Sequence, residues 1–258
     1  MADQRVATIR TVPTAPVFTR AVVDAWPVAF PNEPGADTAV PRKEAVGVLY
    51  AHCMMETGFL HCYGWNIGNV KHVAGQGYDY HCLRGVWEGE TLTEAKRLIA
   101  SGEAVWDPNE SHHKQCAPNV SVVYEPPHPQ TRFRTYLTLA DSMDEHLAML
   151  AKRRYAGAWP HVLSGDVRAF ANALKAKGYF TSSAKAYGDG MMGAFNHYVA
   201  SGDYDLVIAN KDRDVTEPVS EFSGGIVHPT LDFEPLVYDS DDVISANAVT
   251  PWWRRLFT

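Results

Sequence analysis

The chain switches between a helical and a strand-like rhythm of apolar positions, and the switches mark out its elements. Residues 45–55 (AVGVLYAHCMM) form an apolar run that Pro41-Arg42-Lys43-Glu44 opens and the acid Glu56 closes. Proline suits a first helical turn, and Gly58 supplies the left-handed residue that ends a helix. The spacing predicts a helix over 41–56. A loop follows over 60–72, where glycines and asparagines interrupt the pattern. Residues 78–88 (YDYHCLRGVWE) and 120–125 (VSVVYE, stopped by Pro126-Pro127) read as two strands of a small β-ribbon. Between them, residues 91–102 read as a helix: Thr91 with Glu94 forms a capping box and Gly102 ends it. Residues 107–119 read as a polar loop at the ribbon tip.

Helical spacing returns in the second half. Residues 139–155 carry Leu147, Met149 and Leu150, with Asp144, Glu145, Lys152 and Arg153 on the solvated side. Residues 166–177 carry Val167, Phe170, Ala171 and Leu174 on one face and stop at Gly178. Residues 183–201 read as the last core helix, weakened by Gly188, Gly190 and Gly193. The ends differ in texture. Residues 1–41 are Pro-rich and read as an extended arm with a short helix over 19–26. Residues 203–258 are acidic and finish in Pro251-Trp252-Trp253-Arg254-Arg255-Leu256-Phe257, the composition of a docking segment; the competing reading folds Trp252, Trp253 and Phe257 back on the same domain.

Composition narrows the class. The 258 residues are 46% apolar and 21% charged, as a globular core requires, and the formal charge of −7 argues against broad nucleic-acid binding. No apolar run reaches the roughly 18–20 residues of a membrane span. The first residues, MADQRVATIRTVPTAPVF, show no apolar core of a secretory signal. Cys53, Cys62 and Cys82 each follow a histidine (His52, His61, His81), and Cys116 follows His112-His113-Lys114-Gln115. These spacings match no standard zinc motif, so no metal and no cofactor are expected. Buried free thiols are the favoured state, with Cys53–Cys62 or Cys82–Cys116 disulfides as the alternative in an oxidising compartment. No H-E-x-x-H is present, which removes the zinc-peptidase signature.

The candidate chemistry lies in residues 54–71, MMETGFLHCYGWNIGNVK. A carboxyl at the end of an apolar helix is partly desolvated, and desolvation keeps it protonated and able to donate to a glycosidic oxygen. Tyr63, Trp65, Asn66 and Asn69 supply the aromatic faces and amides that sugars need. METGF followed by NIGNVK resembles the helix-end glutamate and N-(F/I)-G-N-(I/V)-K segment of lysozyme-like peptidoglycan hydrolases, nearest to bacterial and phage N-acetylglucosaminidases. FRTYLTLADSMDEHLAMLAKRRY is similar to that family's F-R-x-Y segment and following helix. LSGDVRAFANALKAKGYFTSSAKAYGDGM is similar to its closing G-Y segment. The likeness covers residues 42–198.

The resemblance implies a mainly α, lysozyme-like (α+β) domain over 42–201 with a small β-ribbon, flanked by the arm and the tail. It implies cleavage of β-1,4 bonds of the cell-wall glycan, with Glu56 as general acid. The second carboxylate falls on the ribbon: Glu88 fits best, and Glu90 and Glu125 remain alternatives, the insertion over 89–119 being a departure from the family's compact ribbon. Tyr179 is implied beside the acetamido group or the catalytic water. Tyr63, Trp65, Asn66, Asn69, Lys71, Tyr136 and Tyr187 are implied to line the groove, and Arg134 pairs with a core acid or with substrate. A lytic transglycosylase or muramidase is the alternative within the class; a phage-tail or injection-device component that keeps the fold without the chemistry is the alternative outside it. Peptidoglycan strands are the expected partner, with a phage-tail or secretion-machine partner for the tail. Without a visible signal, the enzyme would be made in the cytoplasm and would reach the wall by lysis, on a particle or through an injection machine.

Overall fold

The computed structural model describes residues 3–29, 40–59, 62–152, 154–180 and 183–211. In chain order the elements are α1 (Ala15–Ala29), α2 (Lys43–Thr57), β1 (Tyr80–Cys82), β2 (Trp87–Glu90), α3 (Leu92–Ala100), β3 (Ala104–Trp106), α4 (Glu110–Cys116), β4 (Val120–Tyr124), β5 (Arg132–Arg134), α5 (Leu139–Lys152), α6 (Trp159–Ser164), α7 (Val167–Ala176), α8 (Ala184–Ser201) and α9 (Asp203–Ala209).

Helix α2 is the axis of the core. Val46, Val48, Leu49, Ala51 and Cys53 are all inaccessible to solvent, and a helix apolar on every side has to be interior. It packs against α8, α6 and α1. Gly47 is what lets α8 come so close: a Cβ there would sit 3.0 Å from the Phe195 ring.

The N-terminal helix is longer than the short one expected over 19–26, and it is part of the core. Pro16 falls in the first turn of α1, where its missing N–H costs no hydrogen bond. Phe18 stacks on Phe59 at 5.4 Å and meets Tyr50 edge-on at 5.5 Å. Trp26 packs on Trp159 at 5.3 Å, and Thr19 Oγ1 shares a 2.6 Å hydrogen bond with the Tyr198 hydroxyl. The segment ahead of α1 runs along the β elements: the Val6 amide donates to Tyr80 O at 2.8 Å and the Thr11 amide to Cys62 O at 2.8 Å.

The β region is two small antiparallel sheets rather than one ribbon. β1 pairs with β5, with Tyr80 opposite Arg134, and β2, β4 and β3 form a second sheet with Glu88 opposite Val122 and Val105 opposite Val123. The strand expected over 78–88 is broken near Arg84-Gly85, where Gly85 takes a left-handed φ of 73°. The helix expected over 91–102 is α3, capped by Thr91 accepting from the Glu94 amide at 3.3 Å. Its Ala95 and Leu98 cover Val122, Tyr124 and Ala104 in a small second core. Within the polar loop expected over 107–119 lies α4, capped by Asn109. Buried Asp107 braces it, accepting from the Ser121 hydroxyl at 2.6 Å and bonding His112 Nδ1 at 2.7 Å.

The later helices follow their patterns. Val167, Phe170, Ala171 and Leu174 of α7 are buried, and Ser183 caps α8 by accepting from the Ala186 amide at 3.1 Å. α9 begins the acidic segment and is tied back to the start of α2: Tyr204 donates to Pro41 O at 2.5 Å and Lys43 pairs with Asp205 at 2.5 Å. The rest of that segment from 212 on, including Trp252, Trp253 and Phe257, lies outside the described residues. The result is a mainly α domain with small antiparallel sheets, the mainly α class with a small β region that was expected. No helix among the described residues is long and apolar enough to cross a membrane.

If α1 is core rather than arm, Phe18→Ala removes a fully buried aromatic and is expected to cost about 3–5 kcal/mol in chemical denaturation. A loss below about 1 kcal/mol, ordinary for a surface substitution, would mean the helix is peripheral.

Candidate active site around Glu56

The METGF sequence builds an abrupt helix end. Gly58 closes α2 in the left-handed region (φ 58°), its amide donating to Met54 O at 2.8 Å. Phe59 follows at φ 54° and drops into the core against Phe18. Thr57 Oγ1 bonds back to Cys53 O at 3.1 Å and receives the Phe59 amide at 3.1 Å. The helix therefore ends one residue after Glu56, and the chain turns away at Gly58 and Phe59.

Glu56 lies at the edge of the core, its side chain 19% exposed. Tyr187 of α8 donates its hydroxyl to Oε1 at 2.6 Å. Burial pushes the Glu56 carboxyl up to about 7, against the pull of the Tyr187 bond. The C-terminal end of α2, with its partial negative charge, favours the same neutral form. His52, one helical turn back, has Nε2 at 3.9 Å from the same oxygen. Burial keeps its imidazole neutral, well below the usual histidine range, and neighbouring His146 adds to the effect. Tyr179 packs 5.0 Å from the His52 ring and 4.9 Å from Tyr155, its phenol raised by burial and then by the Glu56 charge. Tyr187 stacks flat on Phe180 at 4.0 Å. Glu56, Tyr179 and Tyr187 are thus brought together from the end of α2, the turn after α7 and the first turns of α8.

The NIGNVK segment is built mainly to hold the wall of this site. Asn66 is 2% exposed and spends its amide on the backbone: Nδ2 donates to Val70 O at 2.9 Å and to Arg134 O at 3.1 Å, and Oδ1 accepts from the Val70 amide at 2.8 Å. Ile67 is fully buried in the core. Gly68 abuts buried His146, and a Cβ there would lie 2.6 Å from its Nδ1. Asn69, left-handed at φ 50°, donates Nδ2 to the Glu56 carbonyl at 3.0 Å and so pins the loop to the end of α2. Lys71 donates to Gln130 O and lies 4.4 Å over the Phe133 ring.

The other expected residues separate into supports and surface groups. Trp65 packs on the main core, and its amide donates to Thr11 Oγ1 at 2.9 Å. Tyr63 is half-buried and bridges through its backbone to Arg10. Tyr136 is 5% exposed and sits edge-on to Tyr78 at 5.8 Å. Arg134 pairs with Glu145 at 3.2 Å and donates to Gln76, the structural one of its two expected roles. Glu88 is exposed on edge strand β2, its carboxyl raised by the packing around it and by Glu90, with Lys71 opposing. Glu90 receives the Tyr124 hydroxyl, and Glu125 is half-buried beyond β4. All four cysteines are free thiols, and among the described residues no group of three or more His, Cys, Asp or Glu is arranged to hold a metal.

Sequence reasoning passed over His52 and His146. His52 was weighed only as half of a His-Cys pair, yet its i,i+4 relation to Glu56 on one helix places the two on one face. The contact of His146 with His52, from α5, has no such local signal.

No protein-family model matches the chain, and no curated protein matches it. Among solved structures, the crystal structure of a peptidoglycan hydrolase mutant from Sphingomonas sp. A1 matches with a TM-score of 0.37 and 20% identity, over 74% of this chain and 99% of that one.

The raised Glu56 carboxyl has a stability consequence. Folded Glu56 titrates at about 7 against an ordinary 4.5, so between those values the folded protein binds a proton that the unfolded chain has lost. Stability therefore falls as pH rises through that window, by about 3 kcal/mol at most. The stability gained by Glu56→Gln over wild type is expected to grow by up to that amount between pH 4 and pH 8 in urea titrations, as the range spans both pKa values. A gap independent of pH would show that Glu56 is ionised normally. Gly68→Ala is expected to destabilise by about 1–3 kcal/mol, because the buried His146 ring has to move. A neutral result in the same titrations would mean the loop yields instead.

Proposed function

We propose that this protein is a glycoside hydrolase of the bacterial cell wall, cleaving β-1,4 bonds of the peptidoglycan glycan with Glu56 as general acid. The observation that carries the reading is the carboxyl itself: partly open to solvent, set at the end of a buried helix, and held protonated up to about pH 7 by its surroundings. With Oε1 occupied by the Tyr187 hydroxyl, the acidic proton belongs to Oε2, free to pass to a glycosidic oxygen. The likeness of METGF, NIGNVK, F-R-x-Y and the closing G-Y segment to wall hydrolases supplies the substrate class and favours cleavage after N-acetylglucosamine. Tyr179, beside Glu56, is the residue to meet the acetamido group or the attacking water. Trp65 and Asn69 edge the groove; Asn66 and Tyr136 are better read as its supports.

Glu88 is the better second carboxylate, since Glu90 is engaged by Tyr124. A lytic transglycosylase is the second reading. It is favoured by the place of Glu88, exposed on edge strand β2 rather than buried near the acid. One glutamate is what that chemistry needs. Delivery to the wall by lysis, on a phage particle or through an injection machine, with residues 212–258 as the docking segment, belongs to the same proposal.

Mass spectrometry of fragments released from purified peptidoglycan tests it. Wild type is expected to yield reducing N-acetylglucosamine ends; anhydromuramic ends would assign the transglycosylase, and reducing muramic ends a muramidase. Glu56→Gln keeps the shape but has no proton to give, and a loss of about 10²-fold or more is expected, the usual scale of general acid catalysis. A variant that keeps more than about a tenth of the wild-type rate removes Glu56 from that role. A wild type that releases nothing would favour a structural component.

A further inference from the structure

Behind Glu56 lies a buried pair of imidazoles that the proposed chemistry leaves unused. His52 is 0% exposed and His146 is 1% exposed. His146 Nε2 is 3.2 Å from His52 Nδ1, and the rings lie 5.1 Å apart at an angle of 31°. The far nitrogen of His52, Nε2, has no hydrogen-bond partner and is directed to Glu56 Oε1 at 3.9 Å. Cys53 Sγ is 3.7 Å from His146 Nε2. Phe170 closes the remaining side, 5.2 Å from the His52 ring.

One hydrogen is shared between His146 Nε2 and His52 Nδ1, which allows two arrangements. If His52 donates, His146 must carry its own hydrogen on Nδ1, which also lacks a partner; that would bury an orphaned N–H, and would turn a bare His52 nitrogen on the Glu56 oxygen. That oxygen is already an acceptor, from Tyr187, so two lone pairs would face each other. If His146 donates, its bare Nδ1 lies against Gly68, and His52 presents Nε2–H to Glu56. Each arrangement leaves one buried N–H without a hydrogen bond at rest, His146 Nδ1–H in the first and His52 Nε2–H in the second, so the Glu56 oxygen decides: only the second arrangement turns a donor rather than a bare nitrogen toward it.

We propose that His52, fixed in its Nε2–H form by His146, is a positioning residue for Glu56: it supplies the second neutral donor, beside Tyr187, for the carboxylate left when Glu56 gives up its proton. The role rests on the proposed use of Glu56 as an acid. The step is a single proton transfer from Glu56 Oε2 to the leaving oxygen, and the negative charge then on the carboxylate is held by Tyr187 O–H and His52 Nε2–H. Closing 3.9 Å to a hydrogen bond takes about 1 Å of side-chain movement, and bonds of this kind commonly tighten when the reaction proceeds. Because the donors are neutral, they assist the anion without a fixed positive charge that would strip the proton beforehand. The titratable groups facing Glu56 are His52 and Cys53 from α2, Tyr187 from α8 and Tyr179 from the turn after α7. His146 of α5 acts through His52; burial keeps its imidazole neutral, against the pull of neighbouring Glu145.

The test reads Glu56 directly, by carbon-13 NMR titration of its carboxyl, and the His52 hydrogen by nitrogen-15 NMR of its ring, so neither depends on catalysis. In wild type, His52 Nε2 is expected to give the signal of a protonated ring nitrogen; a bare-nitrogen signal overturns the proposal without any variant. His52→Phe removes the donor and keeps the ring volume, and is expected to raise the Glu56 midpoint by about one pH unit, the scale of a lost hydrogen bond to a carboxylate. His52→Gln keeps an N–H at the same reach and is expected to restore the wild-type midpoint. A purely structural His52 would alter the melting temperature of both variants and leave the Glu56 midpoint in place, which overturns the proposal, as does a midpoint that falls. Should wild type release no glycan fragments while the midpoint still moves, the coupling stands and the hydrolase reading fails; glycan cleavage with an unmoved midpoint is the reverse.

Discussion

A carboxyl at the end of a helix that is buried on every side has too little water to hold a charge, and the arrangement around Glu56 follows from that constraint. Helix α2 reaches Glu56 through a buried and mostly apolar core, which favours neutral groups behind the carboxyl. The protein meets the need with a tyrosine hydroxyl from α8 at 2.6 Å and a neutral imidazole one turn back on α2. A lysine or arginine in either place would lower the carboxyl pKa and remove the proton that acid catalysis requires. The abrupt end supplied by Thr57, Gly58 and Phe59 does the rest, because a helix that ran on would cover the carboxyl.

The helices that could be read from sequence are those whose stability is local or periodic. α3 is announced by Thr91 and Glu94, α7 by an apolar stripe, and α2 by its apolar run, and each appears within a few residues of its expected bounds. What could not be read depends on partners far along the chain. α1 was read short, over 19–26, because Pro16 looks like a breaker until it is placed in a first turn. α4 has almost no apolar face, and its ESHHKQC sequence reads as loop; Asp107, His112 and Ser121 brace it through side-chain hydrogen bonds that composition does not reveal. The strand expected over 78–88 looked continuous because its residues favour β structure throughout. Gly85 is the one residue there able to turn the chain into a second sheet without steric cost.

The site was legible in a different sense. The acid stood out because of where it falls in an apolar pattern, but the residues of its signature proved unequal in role. Asn66, Ile67 and Gly68 serve packing and backbone closure, each with a specific partner, whereas Tyr187, expected only to line a groove, bonds the acid itself. A motif records which residues the fold cannot change, and backbone closure constrains an amide as strictly as substrate contact does. His52 and His146 were the harder case. Adjacent to Cys53, His52 invited a metal reading, while its i,i+4 step to Glu56 was the signal that mattered; His146 carries no local signal of either kind.

A second buried carboxyl in the same domain shows how far partner choice governs the outcome. Glu145 of α5 is 12% exposed at its side chain, close to the 19% of Glu56. Glu145 is given a guanidinium, Arg134 at 3.2 Å, together with the Tyr78 hydroxyl at 3.0 Å, and the three lock β5 and the loop before β1 to α5. Glu56 has a tyrosine too, but an imidazole kept neutral in place of the cation. Burial alone therefore does not decide how a carboxyl is held here: a charged partner fixes the geometry of Glu145 through an ion pair, while Glu56 meets only neutral donors. His146 stands directly between the two environments, next to Glu145 in sequence and bonded to His52 in space, and it can serve the second because its own burial keeps it uncharged, at about 4, in spite of the neighbouring acid.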